Sequence, residues 1–287
     1  MLRETVGSVL THTDTDWRLT VVDDAASLED GSLATWLHDL DDPRVRYLAN
    51  GRRLGINRNF QRCADESRAD WVIVLGADDR LLPDCLARVR RVAADFAEAS
   101  WIHSGATVIS ADGRPSMPMA GRVKRRSTPK VRGQRLMAGE ELAVSLLRGN
   151  FMYFPSCAFR RDVLLHHGFR PGYDIVLDLD LYLRILLSGG SCVLLEQPGT
   201  EYRRHAASLS STGADDGTRF AEERDYFREM ATAITRAGWP RAASAARRHW
   251  TSRMHAAAKV PAMIAAGKHR AALSLVHRGL KRRSRGF

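Results

Sequence analysis

The chain has 287 residues, 44% hydrophobic and 27% charged, the balance of an ordinary globular protein with room for one large α/β domain or a domain with a helical appendage. Its formal net charge of +11 is nearly all arginine and is unevenly placed: no Asp or Glu follows Glu229, and Lys268, Arg270, Arg278, Lys281, Arg282, Arg283 and Arg285 crowd the end. Composition argues against a disulfide framework, a zinc cage and a membrane span, because Cys63, Cys85, Cys157 and Cys192 form no C-x-x-C pair and no stretch approaches the ~20 apolar residues that a bilayer requires.

The first residues, "MLRETVGSVL", place Arg3 and Glu4 where a signal peptide needs its apolar run. The expected location is therefore the cytoplasm, or the inner face of a membrane without spanning it. Leu2, Val6, Val9 and Leu10 share one face of an amphipathic helix. "WRLTVVDDA" follows as a strand ending in Asp23 and Asp24, then a helix marked by Leu33, Trp36, Leu37 and Leu40, then the strand "VRYLAN". "GINRNFQRCADES" reads as a helix entered through a Gly/Asn-rich turn. "WVIVLGADD" reads as a fully buried strand over Val72 to Leu75 that delivers Asp78 and Asp79 to its tip, and a helix begun by Pro83 comes next. "WIHSGATVIS" is expected to be one further strand.

Strands alternating with helices of this size predict a mostly parallel sheet with helices on both faces. Such a unit normally opens with a strand, whereas this chain opens with a helix. The expectation is that a central parallel strand precedes Leu2 and that the start is placed too late. Beyond Ser110 an acid-free run, Gly113 to Arg135, reads as a loop. "GEELAVSLLRGN" is a helix, "FMYFPSCAFRRDVLLHHGF" a strand leading into a helix, and "DIVLDLDLYLRILLSGG" a helix stopped at Gly189 and Gly190. "SCVLLEQPGTEYRRH" contains a strand, and from Thr218 the chain is helical, Ala-rich and basic.

Ligands of parallel α/β sheets bind beyond the carboxyl ends of the strands, where both acidic pairs fall. Asp78 and Asp79 read either as ligands of Mg²⁺ or Mn²⁺ with a diphosphate, or as a helix cap and a turn residue. Asp23 reads either as an Asx-turn residue or as an acceptor for the N–H edge of a base. "NGRRLGINRN" supplies glycines for close backbone approach and Arg58 for a phosphate or base. Asp178, one step off the face formed by Leu177, Leu181 and Ile185, suits an N-cap or a general base in a cleft. Asp180 and Arg184 read as an ordinary i, i+4 ion pair. His205 is either a solvated loop residue or a metal ligand.

In this order, "LRETVGSVLTHTDTDWRLTVVDDAAS", "NGRRLGINRN", "WVIVLGADDRLLP", "FRRDVLLHHGF", "DLDLYLRILLSGG" and "YRRHAASLS" resemble family 2 glycosyltransferases of the GT-A fold, from Leu2 to Ser211. The resemblance implies transfer of a sugar from a nucleotide-diphospho-sugar, with inversion and with Mg²⁺ or Mn²⁺. It implies Asp178 as catalytic base, Asp23, Asp24, Arg58 and Asp78 as nucleotide-binding residues, and Asp79 and His205 as metal ligands, Asp78–Asp79 resembling the DXD-type motif. Three departures accompany it. The family's opening strand, of the type "VSVIIPTYN", is absent; Gly76 stands where many relatives carry an acid; and the serine of the first motif is shifted to Ser27.

The expected organisation is a GT-A domain over residues 1–217, without its first strand, and a helical basic extension over 218–287. Acceptors implied by the family are glycans or lipid-linked cell-envelope sugars. Trp250, Met254, Val260, Met263, Ile264 and Leu273, mixed with Lys and Arg, suit either an anionic membrane surface or a solvated basic helix packed on the domain. The rival expectation is a non-catalytic GT-A-like module that binds a glycan or a partner. A sugar-nucleotide synthesising nucleotidyltransferase would need a Gly-rich phosphate loop that is not visible, and no stacking platform accompanies the arginines to suggest nucleic acid.

Overall fold

A computed structural model describes residues 1–24, 31–116, 127–204 and 218–250, together with 253, 254, 257, 260, 261 and 264. The readings of Ser27, His205, Met263 and Leu273 lie outside the described residues, as does 117–126 of the basic run. The chain divides into two compact units, the first comprising residues 1–117, 130–138 and 152–203, the second 118–129, 139–151 and 204–287.

The first unit opens with α1 (Leu2–Leu10), which buries Val6 and Val9. Strands β1 (Leu19–Asp23) and β2 (Val45–Ala49) flank α2 (Ser32–His38), pair in parallel and lead into α3 (Ile56–Asp65). Then come β3 (Trp71–Ile73), β4 (Arg80–Leu81), α4 (Cys85–Asp95), β5 (Trp101–His103), β6 (Ala106–Ile109) and β7 (Gln134–Ala138). After α5 (Gly139–Gly149), which belongs to the second unit, the chain re-enters as β8 (Cys157–Arg160) and α6 (Arg161–His167). It ends in α7 (Leu177–Leu187), β9 (Ser191–Leu195) and β10 (Thr200–Arg203).

The strands form three ladders, β1-β2, β4-β10-β6 and β3-β8-β5-β9-β7. The α/β class is as expected, but the strand directions are mixed rather than mostly parallel. Among the described residues only β1-β2, β5-β9 and β6-β10 run parallel, while β8 lies antiparallel to both β3 and β5. Apolar patterning reports burial and not direction: β7 and β8 both run opposite to β5 and β9, so the reversal precedes β7. One apolar cluster joins the ladders: Ile102, Ala158 and Val193 pack with Val9 and Val89, and Leu19, Val45, Trp71 and Ile73 lie against them.

Several local expectations need correction: β7 begins at Gln134, inside the run Gly113 to Arg135 read as a loop, and "SCVLLEQPGTEYRRH" holds two strands, β9 and β10, in different ladders. "WIHSGATVIS" makes two strands in different ladders, because Gly105 takes φ +67 between β5 and β6, a left-handed conformation that breaks an extended run. The run Val72 to Leu75 is also less enclosed than its composition suggests. Val74 is buried, but Val72, Ile73 and Leu75 are only half-buried. Among the described residues β3 pairs with β8 alone and β1 with β2 alone, so each leaves an edge without a strand neighbour.

The second unit contains α5, α8 (Thr218–Arg236) and α9 (Pro240–Arg248). Small residues Ala242, Ala243 and Ala246 are buried on α9, while Phe220, Tyr226, Phe227, Met230 and Ile234 are buried on α8. The Glu140 carboxylate accepts the amides of Arg241 (2.6 Å) and Ala242 (3.1 Å), satisfying donors that the start of α9 leaves open. Beyond α9, Trp250, Met254 and Ile264 are exposed. Among the described residues no helix is long and apolar enough to cross a membrane.

Candidate functional site

The first acidic pair ends β1. Asp23 is buried, and the Tyr47 hydroxyl donates to its Oδ2 at 2.9 Å from the neighbouring strand. Asp24 turns to the loop between β2 and α3, where its carboxylate accepts from the amides of Leu54 (2.6 Å) and Gly55 (2.9 Å) and from Asn50 Nδ2 (2.9 Å). Burial pushes the Asp24 carboxyl up; the Leu54, Asn50 and Gly55 donors outweigh that and hold it below the usual carboxylate range. Asn50 is itself buried and also bonds Asn59 and Arg62. Gly55, at φ +83, lets the chain enter α3. The result is a loop, Gly51–Gly55, held at Leu54 and Gly55 by Asp24, with Arg52, Arg53 and Arg58 exposed around it.

The second pair follows β3 in a tight turn closed by the Asp79 amide on the Gly76 carbonyl, 3.2 Å. Asp79 is 2% exposed, and its Oδ1 accepts the backbone amide of Arg203 at 2.8 Å. Burial, then the neighbouring Asp78 charge, push its carboxyl up to about 7, with Arg203 opposing. The Arg203 side chain is buried beneath this turn. It donates to the carbonyls of Asp78 (2.7 Å) and Ala111 (2.9 Å) and to the Glu4 carboxylate (2.6 Å), so it fastens the acidic turn to α1 and to the loop after β6.

Gly76 makes a second contribution. A Cβ on it would lie 2.6 Å from Asp79 Oδ2 and 3.0 Å from Asp78 Oδ1. The two carboxylates therefore converge on the space that residue 76 leaves empty, a donor set suited to a hard divalent cation. Among the described residues no three His, Cys, Asp or Glu side chains are assembled as a metal site. His205, the further ligand the sequence suggests, lies outside the described residues.

Asp178 sits half-buried in the first turn of α7, its Oδ1 accepting the Leu179 amide at 2.7 Å. It is not the cap, because Val176 occupies the N-cap position. The apolar face drawn from the sequence is present, with Leu177, Leu181 and Ile185 all buried. Asp180 is not an ordinary surface partner. It is 1% exposed and faces two arginines, Arg184 Nε at 2.8 Å and Arg170 Nη2 at 2.9 Å.

The structure thus brings Asp78 and Asp79 together over Gly76, gathers Asp24 with the loop that leads into the helix carrying Arg58, and sets Asp178 on a helix whose neighbouring face is buried. Sequence reasoning missed Tyr47, Asn50, Asn57 and Arg203. Only the Asn-rich "NGRRLGINRNF" and the arginine pair of "YRRH" carried any signal, since each contact spans a long stretch of chain.

Solved structures place this architecture in a class. S. aureus TarS 1–349 in complex with UDP superimposes with a TM-score of 0.59 at 11% identity, covering 81% of this chain and 61% of that one. The same TarS fragment in complex with UDP-GlcNAc gives 0.56 at 12%, covering 81% and 62%. The fold is that of GT-A glycosyltransferases. Residues 1–168 match the model of glycosyl transferase family 2, more than half of the chain, and the protein belongs to that family. An uncharacterized protein of Mycobacterium tuberculosis (strain CDC 1551 / Oshkosh), MT1568, is 28% identical over 211 residues, covering 71% of this chain and 63% of its own length. The chain spans a little under two thirds of the length of these relatives.

Proposed function

We propose that the chain transfers a sugar from a nucleotide-diphospho-sugar to an acceptor hydroxyl, with inversion and with Mg²⁺ or Mn²⁺. The observation that carries this reading is the convergence of Asp78 and Asp79 over the bare Gly76 at the tip of β3, in a member of glycosyl transferase family 2. The neighbouring TarS fragments, crystallised with UDP and UDP-GlcNAc, support the donor class.

In this mechanism Asp23 and Asp24 order the base side of the donor, and Arg58 offers charge to its phosphates. Asp79 and Asp78 would hold the cation, with His205 as a further candidate ligand. When bound, the cation neutralises charge that develops on the departing diphosphate. Asp178 takes the proton of the acceptor hydroxyl as that oxygen bonds the anomeric carbon, and the electron pair of the broken C–O bond leaves with the nucleoside diphosphate. The transition state carries oxocarbenium character, as in glycoside hydrolysis.

The acceptor we read as a glycan or a lipid-linked sugar of the cell envelope. The exposed Trp250, Met254 and Ile264, in a region with no acid after Glu229, support residence of this end on an anionic membrane face.

The test is calorimetry of UDP, GDP and dTDP with and without Mn²⁺, on the wild type, Asp79→Asn and Asp178→Asn. One nucleotide should bind in a metal-dependent way. Asp79→Asn should lose that binding, whereas Asp178→Asn should keep it and lose turnover by roughly 10²–10⁴-fold. Absence of nucleotide binding by the wild type would favour a non-catalytic glycan- or partner-binding module.

A further inference from the structure

Helix α3 begins at the loop held by Asp24, and a second row of its side chains reaches away from that loop. Asn57, in the first turn, is buried, and its Nδ2 donates to two backbone carbonyls, Arg170 at 2.9 Å and Tyr173 at 2.6 Å. One turn later Gln61 Oε1 accepts the Phe169 amide at 2.7 Å. Asn57 and Gln61 stand at i and i+4, so they form one stripe along the helix. Between them and the core, the Phe60 ring stacks on Phe154 (5.4 Å) and meets Phe169 edge-on (5.8 Å).

The segment they grip, Gly168 to Ile175, is held from its other side by α7. Arg184 donates to the carbonyls of His167 (2.5 Å) and Gly168 (2.6 Å), and buried Asp180 pairs with both Arg184 and Arg170. Gly168 adopts φ +55, with Gln61 Oε1 2.8 Å from where a Cβ would stand, so this corner admits no larger residue without displacing the Gln61 amide. The strap runs straight into Val176, the N-cap of α7, and two residues later reaches Asp178. Asn57 thus joins the element that starts at the Asp24 loop and carries Arg58 to the segment that sets where Asp178 stands. A buried amide with both protons donated fixes position rather than merely filling space, since leaving its own N–H groups unpaired is costly.

We propose that Asn57 is a positioning residue: through the Gly168–Ile175 strap it holds Asp178 in register with the donor bound beside α3. This deepens the transferase reading and rests on it. Its consequence is a division of kinetic effects. Removing the Asn57 amide leaves the donor loop intact, because Asp24, Asn50 and Asn59 hold that loop independently. It loosens the strap, so proton abstraction suffers while donor binding does not.

Two variants separate positioning from packing. Asn57→Ala removes the donors and the volume; Asn57→Asp keeps the volume and removes the donors. Donor affinity is read by calorimetry with the nucleotide that the wild type selects, turnover by release of that nucleotide from its diphospho-sugar, and strap order by amide hydrogen exchange over 168–176. In both variants kcat should fall about 10–100-fold, the cost of a misplaced catalytic group, while nucleotide affinity stays within about twofold, a difference near 0.4 kcal/mol. Exchange should quicken in the strap and stay unchanged in α3. The inference is overturned if either variant keeps wild-type kcat, or if affinity and kcat fall together with exchange rising throughout. A wild type that releases no nucleotide from any sugar donor would instead defeat the transferase reading, and this inference with it.

Discussion

Asp23–Asp24 and Asp78–Asp79 are the same dipeptide at the end of the same kind of element, yet the fold treats them oppositely. Asp24 is met by two backbone amides and a side-chain amide, which hold its carboxyl below the usual range despite burial. Asp79 has the single Arg203 amide, lies deeper and has Asp78 beside it, and its carboxyl rises to about 7. The first pair is satisfied by the protein and works as a fastener for a loop. At Asp79 burial and the neighbouring charge disfavour the ionised form, the condition in which a bound cation gains most.

The largest effect should come from neutralising the second pair. The Asp79 carboxyl is raised above its unfolded value, so ionising it opposes folding; metal-free protein loses stability as pH climbs from about 4 to about 7. Asp79→Asn removes that loss. Unfolding in EDTA should show the variant more stable than wild type by on the order of 4 kcal/mol at pH 8, with the difference closing toward pH 4. A constant difference across that range would mean that Asp79 does not carry the buried charge.

The same substitution at the first pair should have the opposite sign. Asp24 is depressed below its unfolded value, so its contribution is present above about pH 4 and lost as pH falls through the lower folded value. Denaturant unfolding of Asp24→Asn at pH 7 should show a loss of about 2 kcal/mol, the usual scale for hydrogen bonds to a charged group, which shrinks in acid. Equal behaviour of the two variants would break the comparison.

Gly76→Ala tests the convergence itself. The added methyl competes with Asp79 Oδ2 for one space, and Asp79 must turn away from the Arg203 amide to admit it. Metal-dependent nucleotide binding, read by calorimetry, should weaken about tenfold, or ~1.4 kcal/mol, with little change in nucleotide binding measured without metal. Unchanged metal dependence would place the cation elsewhere.

Much of the site was legible before the fold. Both acid pairs announced themselves by following apolar, β-branched runs, and Asp178 by standing one step off the Leu177–Leu181–Ile185 stripe. Arg203 was not legible as the partner of the acidic turn, because it lies 124 residues from Asp79 and looks like any other arginine in a basic chain. Asn57 was hidden for the same reason, with its carbonyl partners 113 and 116 residues away. Asp180 and Arg184 were paired correctly, but the spacing could not reveal Arg170 or the burial of the group.

The sequence by itself determined most of the helices and the strands that precede the two acid pairs, where the carboxylates fall along them, and the order of motifs that marks glycosyl transferase family 2. These follow from local periodicity and turn chemistry, which act over a few residues. Only the tertiary structure decided that β8 runs antiparallel, that "WIHSGATVIS" divides between two ladders, and that Asp24 is held ionised by its donors while burial drives Asp79 toward its neutral form. Burial and hydrogen-bond partners set those outcomes, and they come from chain segments that the local pattern cannot see.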